Sequence, residues 1–130
     1  MNIETIEECT ALSLAGKIAF PEVVRRLAAT GVERYRIDMV GRTKSAYGLA
    51  GESHVAPFDV EGPSIPPQFD VGAVREAIGA SQRQEIDYRT FLRRVMEAGC
   101  SHYEVFLTGR KAVYIGRNGG EHVEPFPGAL

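Results

Sequence analysis

Gly51-Glu-Ser-His-Val-Ala-Pro-Phe58 and Gly119-Gly-Glu-His-Val-Glu-Pro-Phe126 carry the same skeleton, glycine, histidine, valine, proline and phenylalanine at matched places. Working outward from this pair at a constant offset of 68, residues 5–58 align with 73–126 without a gap. Gly31 meets Gly99, Tyr35 meets Tyr103, Gly41-Arg42 meets Gly109-Arg110, and Arg25-Arg26 meets Arg93-Arg94. Over the 54 aligned positions 15 are identical, and the matches gather at turns and helix ends. Self-similarity of this kind governs the whole fold, so it is read before any single element.

Each copy reads as two helices and three strands. The first helix is expected over 4–15 and 71–83, with Thr5 and Glu8 offering a capping box in the first copy. The second covers 20–30 and 87–98, where Phe91, Leu92, Val95 and Met96 form one apolar stripe. Pro21 suits a first turn, and Gly31 and Gly99 stand where a left-handed C-cap is wanted. Tyr35, Ile37 and Met39 then alternate with Arg34, Arg36 and Asp38, the period of a half-buried strand. Gly41-Arg42 and Gly109-Arg110 predict a tight turn with glycine in its first central position, and Asn118-Gly119 predicts a hairpin. Further strands follow at 43–49 and 53–58, and again at 111–117 and 121–126.

Residues 59–70 are proline-rich and acidic and read as an extended connector. A unit of 54 residues with three strands folds poorly by itself. The expected fold is therefore α+β, two tandem ααβββ repeats related by a pseudo-two-fold axis. They share one core over 1–130 as a single domain, an antiparallel sheet with helices packed on it.

Composition narrows the function classes. With 15 basic and 17 acidic residues in 130, the formal charge is −2, which leaves no general electrostatic footprint for nucleic acid or an anionic membrane. No apolar run approaches the ~20 residues that span a bilayer, and Met1-Asn-Ile-Glu4 lacks the basic, apolar character of a signal peptide, so a cytoplasmic location is expected. Cys9 and Cys100 fit no metal spacing and read as buried thiols. Cys100 follows a helix end, whose dipole raises a thiol pKa.

The segments Gly51-Glu-Ser-His-Val-Ala-Pro57, Ile86–Cys100 and Tyr114–Phe126 also resemble the YbcV-like family of small bacterial proteins, a domain-of-unknown-function family often labelled phage envelope protein. The resemblance covers essentially the whole chain and implies no activity, cofactor or catalytic residue.

The candidate chemistry gathers on duplicated residues. His54 and His122 hold equivalent places, and imidazole serves proton transfer and metal binding near neutral pH. They converge if the third strands lie beside the axis; Glu124 then shares a strand face with His122, whereas Glu121 does not. The plainer reading gives each imidazole a structural hydrogen bond at its hairpin. Arg25-Arg26 and Arg93-Arg94 suit an anion or, more plainly, salt bridges to Glu22, Glu8 or Glu97. Gly116–Gly120 lacks the lysine and helix of a phosphate loop, and no serine has a nucleophile setting.

The favoured reading is a non-enzymatic binding module with a small-ligand cleft between the repeats, bounded by His54, His122, Tyr47, Tyr114, Arg42 and Arg110. It calls for no cofactor, metal or catalytic residue. The alternatives are a histidine-dependent, metal-assisted or metal-free enzyme on a small polar substrate, and a prophage-associated structural component. A homodimer through an exposed sheet edge or helix face is compatible with the sequence, which does not specify it.

Overall fold

A computed structural model describes residues 1–128. The chain forms α1 (Ile3–Leu14), α2 (Phe20–Ala29), β1 (Val32–Asp38), β2 (Thr43–Gly48), β3 (Ser53–Pro57), α3 (Val71–Gln82), α4 (Tyr88–Glu97), β4 (Cys100–Phe106), β5 (Lys111–Gly116) and β6 (Glu121–Pro125). The six strands make one antiparallel sheet in the order β3-β2-β1-β4-β5-β6. The element order is thus ααβββ twice over, and the halves join where β1 pairs with β4.

The helices begin and end for local reasons. Asn2, not Thr5, caps α1: its side chain accepts from the Thr5 N–H, which places the expected capping box inside the first turn. Asp70 and Asp87 cap α3 and α4 in the same way. Pro21 sits in the first turn of α2. Gly31 and Gly99 follow α2 and α4 with φ of +83° and +96°, the left-handed geometry that releases the chain into a strand. The apolar stripes then bury Val23, Val24 and Leu27 of α2 and Phe91, Leu92, Val95 and Met96 of α4.

The turns after β1 and β4 differ from expectation. The left-handed residues are Arg42 (φ 58°) and Arg110 (φ 57°), not the glycines before them. Gly41 is small for another reason. Asp38 Oδ1 accepts from the N–H groups of Val40 and Gly41, and a Cβ on Gly41 would stand 3.1 Å from Asp38 Oδ2.

The pairing registers repeat. Val32↔Gly48 through Asp38↔Thr43 in β1–β2 become Cys100↔Gly116 through Phe106↔Lys111 in β4–β5, with the same irregularity after the first pair. Thr43↔Pro57 likewise becomes Lys111↔Pro125. At the join, Arg36 lies opposite Glu104, its own counterpart 68 residues on.

The buried face of the sheet carries Tyr35, Ile37, Lys44, Ala46, Tyr103, Val105, Ala112 and Tyr114, and residues from both halves enter one core cluster with the helices. Leu27, Ile37, Leu92, Val74, Val95 and Val105 are almost fully enclosed there. The alternate residues, among them Arg34, Arg36, Tyr47, Val55, His102 and Glu104, lie on the other face. Arg34 bridges the join on that face, 2.7 Å from Glu104 with its guanidinium 3.9 Å above the Tyr47 ring.

The connector is extended but packed. Phe58 and Val60 are buried, the Ile65 and Pro67 carbonyls accept from Arg117 and Asn118, and Asp70 N–H donates to Ala98. It lies against the second half, and this separates two glycines that the sequence aligns. A Cβ on Gly99 would stand 2.0 Å from the Gln68 carbonyl oxygen, whereas nothing lies within 4 Å of one on Gly31. Gly31→Ala is expected to cost about 1–2 kcal/mol, the left-handed term alone. Gly99→Ala should cost at least about 3 kcal/mol, because backbone must also move. Urea unfolding of both variants checks this, and equal losses would refute the role given to the connector.

Candidate functional site

Between the helical layer and the sheet lies a cavity of about 830 Å3. Its rim is formed by exposed residues of the α1–α2 loop (Gly16, Lys17, Ala19) and the α3–α4 loop (Gln84, Glu85, Asp87). Its floor is the helix-facing side of the sheet, where pairing sets the side chains in two rows. Lys44, Tyr103 and Tyr114 belong to one row and Tyr35, Val105, Ala112 and Glu124 to the other, and all seven line the cavity; Ile37, Ala46 and His122 complete the rows outside its lining. The volume falls within the range of small-molecule sites.

Aromatic side chains fill the middle. Tyr103 and Tyr114 stack at 5.2 Å between centroids, and Phe91 meets both edge-on at 6.3 and 6.2 Å. Tyr88 stacks on Phe91 at 6.1 Å and its hydroxyl hydrogen-bonds that of Tyr103. Burial disfavours the phenolate and raises the pKa of Tyr35, Tyr88, Tyr103 and Tyr114, so all four remain neutral hydroxyls at physiological pH.

Lys44 is the unusual group. It projects from β2 into the core, 7% exposed, with Nζ 2.7 Å from Thr10 Oγ1 and 4.8 Å from the Tyr35 ring centroid. Thr10 donates its own proton to the Ile6 carbonyl, which leaves its oxygen as the acceptor for the lysine. Among the described residues no ion pair includes Lys44. Desolvation therefore lowers its pKa from 10.5 to about 8. The titratable groups beside it, Cys9 on α1 and Tyr35 on β1, are both held protonated by burial.

The charged lining is polarised. Lys17 and Lys44 come from the first half, Glu85, Asp87 and Glu124 from the second. At the aligned places Lys17 faces Glu85 in sequence, Lys44 faces Ala112, Ala19 faces Asp87 and Ala56 faces Glu124. Each acid has its own partner: Glu85 pairs with Arg83, Asp87 caps α4, and Glu124 lies 2.9 Å from His122 Nε2.

Of the six residues expected to bound a shared cleft, only Tyr114 lines this cavity. His54 on β3 and His122 on β6 do not converge, because their strands are the opposite edges of the sheet. Five inter-strand steps of about 4.8 Å separate them, roughly 24 Å. His122 binds Glu124, while His54 Nε2 is buried, 3.5 Å from Glu7 Oε1, with no hydrogen bond. Tyr47 is on the far face beneath Arg34. Arg42 pairs with Asp59 at the sheet end, and Arg110 lies over Phe126 at 5.8 Å. The helical arginines form salt bridges, Arg25 and Arg26 with Glu22, and Arg93 with Glu97. Both cysteines are free and buried, and burial lifts the Cys100 thiol to about 12.

Lys44 had a readable signal. It shares the inward strand face with Ala46 and Gly48, and its aligned partner is Ala112. A charge at a core position whose aligned residue is alanine breaks the local pattern, as is expected at functional or strained positions.

No family model matches the chain, and no curated protein matches it. Among the described residues no cluster of three or more His, Cys, Asp or Glu could hold a metal ion, and no helix is long and apolar enough to cross a membrane.

The lowered pKa has a thermodynamic consequence. Below about pH 8 the folded chain must charge Lys44 in its desolvated site, whereas the unfolded chain carries that proton without penalty up to 10.5. Between these values the unfolded state binds more protons, so this group adds stability as pH rises. Lys44→Met is expected to be more stable than wild type at pH 7.5, and the gap should narrow by about 2 kcal/mol by pH 10. Taking the difference between the two proteins cancels the cysteine and tyrosine titrations. A gap independent of pH in denaturant unfolding would contradict the assignment.

Proposed function

We propose that the chain is a binding module that takes a small molecule between its helical layer and its sheet. The observation that carries this is the cavity of about 830 Å3 with an unpaired, buried lysine in its wall. A side chain of that kind is costly in a core and is accounted for by a partner that enters from outside. The asymmetry of the lining supports the same reading. The two halves repeat in register and in turn geometry, and they differ in the charges they turn toward the cavity. A purely structural duplication has no need of that difference.

Two further readings belong to the proposal. The halves are related by an approximate two-fold axis through the Arg36–Glu104 pair and form one domain, supported by the shared offset of every ladder and the common core. Membership of the YbcV-like family rests on the three segments quoted above and brings no activity with it. A binding role is favoured over a paired-histidine catalyst because β3 and β6 hold the two imidazoles on opposite edges.

A neutral fluorescent probe, N-phenyl-1-naphthylamine, tests the cavity without involving charge. Saturable one-to-one binding is expected. Ser81→Trp on α3 and Ala112→Trp on β5, both in the cavity wall, should each weaken it at least tenfold with an unchanged circular dichroism spectrum. Absence of saturable binding, or full binding by both folded variants, would sink the proposal.

A further inference from the structure

We infer that the ligand of this cavity is a monocarboxylate with an apolar body, its carboxylate seated against Lys44 Nζ and its body along Tyr35, Phe91, Tyr103 and Tyr114. The inference rests on the binding reading above and names the class of compound.

Lys44 supplies the anchor. An ammonium has three donors, and among the described residues only Thr10 Oγ1 accepts one of them, at 2.7 Å. The Tyr35 face 4.8 Å away stabilises the cation without accepting a hydrogen bond in the usual sense. The remaining N–H groups are matched by a carboxylate, whose two oxygens give a charge-assisted contact in a desolvated setting. Thr10 is a positioning residue here, since its own proton is committed to Ile6 and it has none to offer the ligand.

Charge balance selects the valence. One ammonium in an apolar wall neutralises one negative charge; a phosphate dianion would leave a net charge buried, at a steep desolvation cost. The rest of the lining selects the body. The aromatic centre, with Phe58, Val105 and Ala112 beside it, offers surface for an aromatic or aliphatic chain. The hydroxyls of the tyrosines stay neutral and bring no competing charge.

The polarity of the lining selects the orientation. Lys44 on β2 and Glu124 on β6 stand four strands apart, roughly 19 Å. A carboxylate at the Glu124 end would meet a like charge already held by His122. At the other end Thr10 and Ser13, three apart on α1, and Lys17 in the loop after it all line the cavity. They form a polar track from the rim to Lys44, which an entering anion can follow.

Matched acid and alcohol pairs separate this inference from the cavity reading: octanoate against octan-1-ol, and 3-phenylpropanoate against 3-phenylpropan-1-ol, titrated calorimetrically into the whole chain. Wild type is expected to bind each acid at least tenfold more tightly than its alcohol. Lys44→Met should bring the two within about twofold, and Thr10→Val should narrow the gap less. Because Lys44 titrates at about 8, acid binding at pH 8 should take up about half a proton, seen by comparing phosphate with Tris buffer. Alcohols and the neutral probe binding as well as the acids would overturn the carboxylate assignment and leave the cavity reading standing. An acid preference that survives in folded Lys44→Met would also overturn it. Failure of acids, alcohols and probe alike would overturn both.

Discussion

The β1–β4 ladder is the contact on which the rest of this molecule depends. Each half alone is a three-stranded meander with two short helices, too little to bury its apolar faces. Pairing Arg34 through Asp38 with Phe106 through His102 turns two such units into one six-stranded sheet with a continuous floor. The same pairing fixes what lies at the centre and what lies at the rim. Tyr35, Ile37, Tyr103 and Val105 become the middle of the covered face, while the third strand of each half is sent to an outer edge. A one-residue slip would send every one of these side chains to the other face. Arg34, bonded to Glu104 and stacked on Tyr47, ties β4, β1 and β2 together on the uncovered side.

Within this frame the two halves are alike in backbone and unlike in chemistry. Turns, ladders and helix ends recur at one offset, down to the left-handed Arg42 and Arg110. The cavity lining does not recur. Lys44 aligns with Ala112 and, among the described residues, is met only by a hydroxyl and an aromatic face, whereas Glu85, Asp87 and Glu124 each have a partner of their own. A buried cation of this kind lowers the stability of the fold and raises the affinity of the site for an anion, by the same desolvation. In the proposed binding role stability and function are opposed at this residue, and this is where local sequence rules are expected to fail.

The departures from the sequence reading have distinct physical causes. The capping box at Thr5 gives way to Asn2, whose side-chain oxygen accepts from the Thr5 N–H and starts the helix three residues earlier. The glycines at 41 and 109 suggest positive φ, but Asp38 uses the space at Gly41, and the left-handed turn falls on the arginine that follows. The cleft expected around His54 and His122 presumes that third strands meet at the centre. Strand order is a choice among pairings that no single strand encodes, and the central partners are the first strands. The prominence of the histidines comes from their duplication, a property shared by scaffold residues such as Gly31 and Gly99.

What the sequence determined by itself is therefore the local and the repeated: ten elements in ααβββ order, the stripes of α2 and α4, the glycine caps, and the inward and outward alternation of β1 and β4. The alternation of β2 differs from expectation, since Tyr47 was expected inward. The features that agree follow from periodicity and backbone sterics, which act over a few residues. Tertiary structure alone decided which strands became neighbours, and through that which side chains share a cavity. Thr10 stands 34 residues from Lys44, and only β-pairing and helix packing bring an ammonium, its acceptor and the Tyr35 face together. The inward phase of Lys44 puts Tyr47, expected in the cleft, on the opposite face of β2. The lack of a counter-charge at Lys44 depends on every element packed around it.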